Sequence, residues 1–238
     1  MSKIRKQYFA RLFVRITIFI VCLIMCFKPQ FYEILEGMNF FDGFHILHLL
    51  WLVWVFDMIL QIIPIKNKLA LGSQKLFINR FQPIREKINY KALKNYVKKT
   101  TASAYKVFVV WAILIVVIGV LYYLNIINKT WLFMFSVLFY VCDLICVLIW
   151  CPFRLIMKNK CCTTCRIFNW DNLMMFSPLI FCVGFFTISL VVMAFLAWLV
   201  WELCIILYPE RFSEITNVAL RCSNCTDKLC TQYCKKLR

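Results

Sequence analysis

Glycine and proline are scarce in this chain, at 5 and 6 of 238 residues. That excludes a collagen-like or low-complexity chain, since both are built on those residues. Histidine is scarcer still, at 2, and the 11 acidic residues are outnumbered by 28 lysines and arginines. Hydrolytic chemistry run on histidine or paired carboxylates therefore has few players. The sequence holds no phosphate-cradling glycine loop, no His-Glu-x-x-His motif, no Gly-x-Ser-x-Gly elbow and no kinase signature. Charge of either sign is low: 16% of residues are charged and 63% are hydrophobic, including 23 Phe, 10 Tyr and 8 Trp. A water-soluble fold is excluded by this usage, and so is disorder, because a solvated chain cannot carry so much aromatic surface. The apolar stretches run without the period-two alternation of a membrane barrel. The expected class is an all-α, polytopic membrane protein, because helices are the remaining way to pair the backbone in lipid.

Five apolar runs are expected to span, at 12–27, 44–65, 107–126, 131–157 and 173–208. The first carries Arg15 and follows Lys3, Arg5, Lys6 and Arg11; Lys28, Pro29 and Gln30 follow it in place of a cleavage motif, so it reads as a retained helix. Residues 66–106 are the most basic stretch and read as cytoplasmic, as does the N-terminus. Within that stretch Leu93, Tyr96 and Val97 share a helical face opposite Lys91, Lys94, Lys98 and Lys99. This suits an amphipathic helix on anionic lipid headgroups or an ordinary snorkelling loop. The +17 net charge sits just outside the apolar runs, where the positive-inside rule puts it. It therefore points to the bilayer, and to a protein partner at the basic segment, and not to nucleic acid.

The last run is longer than the roughly 20 residues of one span and short for two spans with a turn. It holds Pro178 and Gly184 but no polar turn. Trp198, Trp201 and Glu202 favour an interface near residue 200 and a single crossing. Arg211, Arg221, Lys228, Lys235, Lys236 and Arg238 favour a tail on the inside. The count is five spans, or six, in a membrane domain of 1–209 followed by a cysteine-rich basic tail of 210–238.

Cysteine is abundant, at 14. Cys222, Cys225, Cys230 and Cys234 form Cys-x2-Cys-x4-Cys-x3-Cys, which lets one short loop converge four thiolates on one ion or cluster. Tetrahedral zinc is the simplest occupant. An iron–sulfur cluster takes the same ligands, although the compact ferredoxin spacing is not reproduced. Disulfides on the outer side, or unligated thiols, are the other readings. A second group is Cys151, Cys161, Cys162 and Cys165, in which Cys162 and Cys165 make a half-site suited to a redox dithiol or to half a metal site. A tail on the inside would let the two groups share ligands. The fragment Trp150-Cys151-Pro152-Phe153 resembles part of the Trp-x-Cys-Pro pattern of membrane-bound polyferredoxins of the quinol-dehydrogenase accessory class. It covers those residues alone, lacks the glycine and first cysteine of the pattern, and is followed by no ferredoxin repeat, so it implies no membership. Cys22, Cys26, Cys142, Cys146, Cys182 and Cys204 lie in apolar runs and read as small core hydrophobes.

Polar residues inside spans are costly and are site candidates by default. His45 and His48, three apart near the outer end of the second span, suit a metal or haem ligand pair, or a pair that is simply solvated or hydrogen-bonded. Asp57 and Asp143 suit proton or cation sites, or partners for Arg15 or Arg154, and Glu202 is a further polar residue near the far end of the last span. Arg154 is three turns from Asp143, about 16 Å by helical rise, so a partner for Asp143 is expected from another helix. Three functions compete: a thiolate metal or iron–sulfur centre for electron transfer or redox and metal sensing, a non-catalytic membrane scaffold with a structural zinc knuckle, and a small cation or proton transporter.

Overall fold

The computed structural model describes residues 3–63, 77, 80–85, 87–157 and 165–224, and among these the chain is helical, with no strand beyond two isolated bridges. Helices α1 (Lys3–Met25) and α2 (Ile46–Ile62) are followed by a hairpin of α3 (Tyr90–Tyr123) and α4 (Lys129–Leu148). Two short helices, α5 (Phe153–Met157) and α6 (Asp171–Phe176), precede the long α7 (Phe185–Leu207), and α8 (Pro209–Phe212) closes the series. Helices α1, α3, α4 and α7 are long and apolar enough to cross a membrane, while α2 is apolar but shorter. The chain is a helical membrane protein by this measure, with apolar side chains such as Phe13, 72% exposed, on the lipid-facing surface.

Local chemistry sets the helix ends. The Asn89 side chain accepts from Ala92 N at 3.1 Å and opens α3, and the Asn128 side chain accepts from Trp131 N at 3.2 Å and opens α4. Asn125, at φ 57°, turns the chain between them in the left-handed region that asparagine tolerates. At 34 residues, α3 is about 51 Å long, roughly 20 Å beyond the hydrocarbon thickness. The amphipathic stretch expected around residues 91–99 is thus the first turns of the same helix as the span expected at 107–126. Helix α4 is the centre of the bundle: 56% of its apolar window is buried, against 17% for α1. Its Phe133 and Val137 form the core with Trp54 of α2 and Phe176 and Phe186 beyond it, and its Leu144 packs with Tyr8 and Leu12 of α1.

Two expected boundaries differ. In the run at 131–157 the long helix ends at Leu148, where the N–H groups of Ile149 and Trp150 both bond to Ile145 O and Pro152 prevents continuation, and the short α5 follows separately. The run at 173–208 is divided. Helix α6 continues into a 3-10 helix (Ser177–Phe181) that opens with Pro178, and the chain then reverses at residues 182–184. The reversal needs no polar turn because a distant loop pairs with it: Gly37 N donates to Val183 O at 3.0 Å, and Phe185 N donates to Gly37 O at 2.9 Å. A Cβ on Gly184 would lie 2.1 Å from Leu35 O, so only glycine fits. Because the obstacle is backbone, Gly184→Ala is expected to lower stability by about 1–3 kcal/mol, as overpacking does. Denaturant titration of the detergent-solubilised chain measures it, and a loss within 0.5 kcal/mol of zero would mean the close approach is not maintained.

The bundle therefore has two distinguishable ends. Gly37, Gly184 and the Lys129–Glu36 ion pair (2.7 Å) lie at one. The start of α3, the loop at 165–170 and the far end of α7 lie at the other, called here the basic end.

Candidate functional site

Arg15 of α1 and Asp143 of α4 face each other inside the bundle. Arg15 Nη1 donates to Asp143 Oδ2 at 2.7 Å and to Tyr140 O at 2.6 Å, with the guanidinium 3.9 Å from the Tyr140 ring centroid. Asp143 thus has its partner on another helix, and Arg15 is it. Asp57 lies in the field of Arg15 and Arg11 but makes no ion pair among the described residues. Gln61, four residues on, donates to both carboxylate oxygens of Asp171 at 3.3 Å and accepts from Asn172 Nδ2.

Glu202, 6% exposed near the end of α7, joins three elements. Arg166 Nε donates to both of its carboxylate oxygens at 3.2 Å, with Nη2 closer still, and Trp170 Nε1 donates to Oε1 at 2.8 Å. Arg166 also donates to Thr101 Oγ1 of α3. This clamp fixes the loop that begins at Cys165. The tail's lead-in is fixed as well. Asn217, fully buried, accepts from Gln82 N (3.1 Å) and Ala219 N (3.2 Å) and donates to Arg80 O (3.1 Å) and Arg211 O (2.8 Å). Arg211 lies 4.7 Å from the ring centroids of both Phe77 and Phe81. The residues leading into Cys222 are therefore sewn to the basic segment.

Of the expected thiolate ligands, Cys161, Cys162, Cys225, Cys230 and Cys234 lie outside the described residues, and Cys222 is described in its backbone alone, in a 3-10 turn (Cys222–Asn224). Cys165 donates to Met157 Sδ at 3.7 Å. Cys151 and Cys146, a residue read from sequence as core, line one cavity. No group of three or more His, Cys, Asp or Glu suited to a metal occurs among the described residues. His45 and His48 do another job: His48 Nδ1 accepts from His45 N at 2.9 Å, and Nε2 donates to Phe40 O at 2.8 Å. Both ring nitrogens of His48 are engaged in capping α2 and tying down the preceding loop.

A cavity of about 450 Å3 opens beside this framework. Its walls come from α3 (Trp111, Leu114), α4 (Phe139, Cys142, Cys146), the linker and α5 (Cys151, Phe153, Arg154) and the loop at Cys165. Trp111 packs edge-on to Phe139, with ring centroids 4.7 Å apart. The Cys146 thiol beside it, the backbone N–H groups of Phe153 and Arg154 and the Arg154 charge hold the Cys151 thiol below its usual range, against the opposing effect of burial. Sequence reading did not single out Arg166, Trp170, Asp171 or Asn217. The available signal was Glu202, an acidic residue beside Trp198 and Trp201 in an apolar run, which calls for a partner from another element. Comparison with protein-family models, with curated proteins and with solved structures returns no match.

Proposed function

We propose that the chain is a multi-pass membrane protein carrying a cysteine-thiolate metal or iron–sulfur centre at its basic end, serving redox or metal sensing. The observation that carries this reading is the anchoring of both cysteine-bearing segments to that one end. Arg166, next to Cys165, is held by Glu202 and Thr101; Asn217, just before Cys222, is held by Arg80 and Gln82. In this reading α1 to α4 each cross the bilayer, the segment at 171–182 and α7 cross as a pair, and both termini face the cytoplasm with the basic segment. Cys161, Cys162 and Cys165 then share a reducing side with Cys222, Cys225, Cys230 and Cys234, where thiolates bind metal in preference to pairing. Loss of the metal would release the tail from the loop after α5, which couples occupancy to helix packing.

A transporter is less well supported, because Asp143 and Glu202 are committed to Arg15 and Arg166. The scaffold reading is favoured by the pinned basic surface, and the identity of the metal separates it from sensing or electron transfer. The test is metal and sulfide analysis, with a visible spectrum, on chain purified anaerobically in detergent. Iron with acid-labile sulfide indicates a cluster, and colourless zinc indicates a structural centre that orders the surface for a protein partner. Cys225→Ser is expected to lose most of the metal, since three thiolates leave an open, weaker site. Parent chain free of both metals, or an unchanged ratio in Cys225→Ser, removes the proposal.

A further inference from the structure

The first turns of α3 stand outside the bilayer and present charge of one sign. Counting the hydrocarbon thickness back from Tyr123 takes about 20 residues, which leaves Lys94 about 14 Å and Lys91 about 18 Å beyond its edge. Headgroups fill about 6 Å of that distance and the Debye length is about 8 Å, so Lys91 lies past the field of the lipid surface. Leu93 is 2% exposed and Tyr96 and Val97 are half-buried, so the apolar face is turned onto protein and not onto lipid. Lys91, Lys94 and Lys98, spaced three and four residues apart, form an exposed stripe on the opposite face. None of them forms an ion pair among the described residues. The segments outside the described residues contain two acidic residues, Glu86 and Asp227, among many more lysines, so they do not neutralise the stripe. The stripe works against its own helix. Lysines at these spacings repel, and Lys91 sits in the first turn, at the positive end of the helix dipole, with no acidic residue to offset it.

We propose that Lys91, Lys94 and Lys98 dock an acidic α-helix of a partner protein, laid side by side with α3. From Lys91 to Lys98 the stripe runs straight for about 11 Å along one helical face. Carboxylates spaced three and four residues apart on a partner helix match it group for group. Their charge offsets both the repulsion among the lysines and the misplaced charge at the helix start. The pairing is rim-exposed, so it sets orientation and speeds encounter more than it adds affinity. A second copy of this chain does not fit, because it brings the same positive face and a net charge of +17. The stripe holds neither the arginine forks nor the aromatic rings that read nucleic acid. Anionic headgroups do not fit either, since the apolar face that would enter the bilayer is already covered and Lys91 stands clear of the lipid. The reading shares the cytoplasmic topology proposed above and draws on nothing in the metal centre.

The experiment uses full-length chain in phosphatidylcholine nanodiscs, which leave both faces of the bilayer open. The probe is a fluorescein-labelled synthetic helical peptide with glutamates spaced three and four residues apart along one face. Its control has the same composition with the glutamates spread round the helix. The striped peptide is expected to bind about tenfold more tightly than the control, and Lys91→Gln/Lys94→Gln/Lys98→Gln to weaken it about tenfold. Lys66→Gln/Lys68→Gln/Lys75→Gln removes the same charge elsewhere in the basic segment and is expected to change the affinity less than about threefold. Helical circular dichroism checks that each variant folds. Acetylation by a water-soluble reagent, read by mass spectrometry, is expected to show Lys91, Lys94 and Lys98 protected by the striped peptide and unprotected when phosphatidylserine is added to the nanodiscs. No binding of the striped peptide, equal binding of the control, or equal loss in the two triple variants overturns the proposal. Protection by phosphatidylserine overturns it as well and assigns the stripe to the membrane surface. Metal-free chain that binds the striped peptide would overturn only the metal reading, and metal-loaded chain that does not bind it would overturn only this one.

Discussion

Asp143→Ala is expected to cost about 3–5 kcal/mol, the range for breaking a buried ion pair by removing one partner. The Arg15 and Asp143 side chains are 12% and 19% exposed, and the bundle around them is apolar. Without the carboxylate the guanidinium keeps the Tyr140 carbonyl and ring as its contacts, and Asp57 and Asp171 are near it without forming an ion pair with it. Arg15→Ala is expected to be damaging as well, because it leaves the Asp143 carboxyl without its partner in the same setting. The double variant Arg15→Met/Asp143→Leu is expected to regain most of the loss, since replacing the whole pair removes the desolvation term along with the attraction. A denaturant-unfolding cycle in detergent measures all three. Single variants within 1 kcal/mol of the parent would show that water reaches the pair.

Glu202→Ala is expected to be comparably large and more local. It leaves the Arg166 guanidinium buried with Thr101 alone and the Trp170 indole N–H without its acceptor. Breaking the clamp frees the loop that begins at Cys165 from α7. The Cys165 thiol is therefore expected to alkylate about tenfold faster or more, with global unfolding brought forward by about 3 kcal/mol. Glu202→Gln keeps an acceptor for Trp170 and is expected to fall between the two. Arg166→Lys is not conservative here, because a point ammonium cannot reproduce the guanidinium fork on two carboxylate oxygens and a hydroxyl. Unchanged Cys165 labelling in Glu202→Ala would mean the loop is held by other contacts.

What could be read from the sequence follows from how local its causes are. Continuous apolar runs fix the helices, and the asparagines at 89 and 128 mark where two of them begin. The need for an inter-helix partner at Asp143 was legible from helical rise alone. The reversal at 182–184 was not, because its hydrogen bonds come from Gly37, far back in the chain, and it uses no residue that signals a turn by itself. The histidines left two readings open for a related reason: three-residue spacing on a helix start serves an N-terminal cap as well as it serves a metal. Cys146 reads as core because it lies inside an apolar run, and Cys151 groups with the loop cysteines because it stands near the run's end. With α4 ending at Leu148, both line one cavity. The tail cysteines remain a matter of spacing, with structure contributing the anchored approach to them.

The pairing of Gly37 with Gly184 also bears on how the chain is made. The segment at 171–182 consists of one short α-helix and one 3-10 helix, about 19 Å long together, and Met174, Met175, Phe176 and Leu179 are buried against protein. Such a piece lacks the length and the lipid-facing surface to partition into a bilayer alone. In the proposed topology it must enter together with α7, after α1 to α4 have assembled around the place it will fill. Gly37 is synthesised long before Gly184 and waits at the far end as a template for the turn. Insertion of the last two crossings is then a folding step directed by the earlier part of the chain, so a chain truncated before α7 should expose residues 171–182 to cytoplasmic quality control.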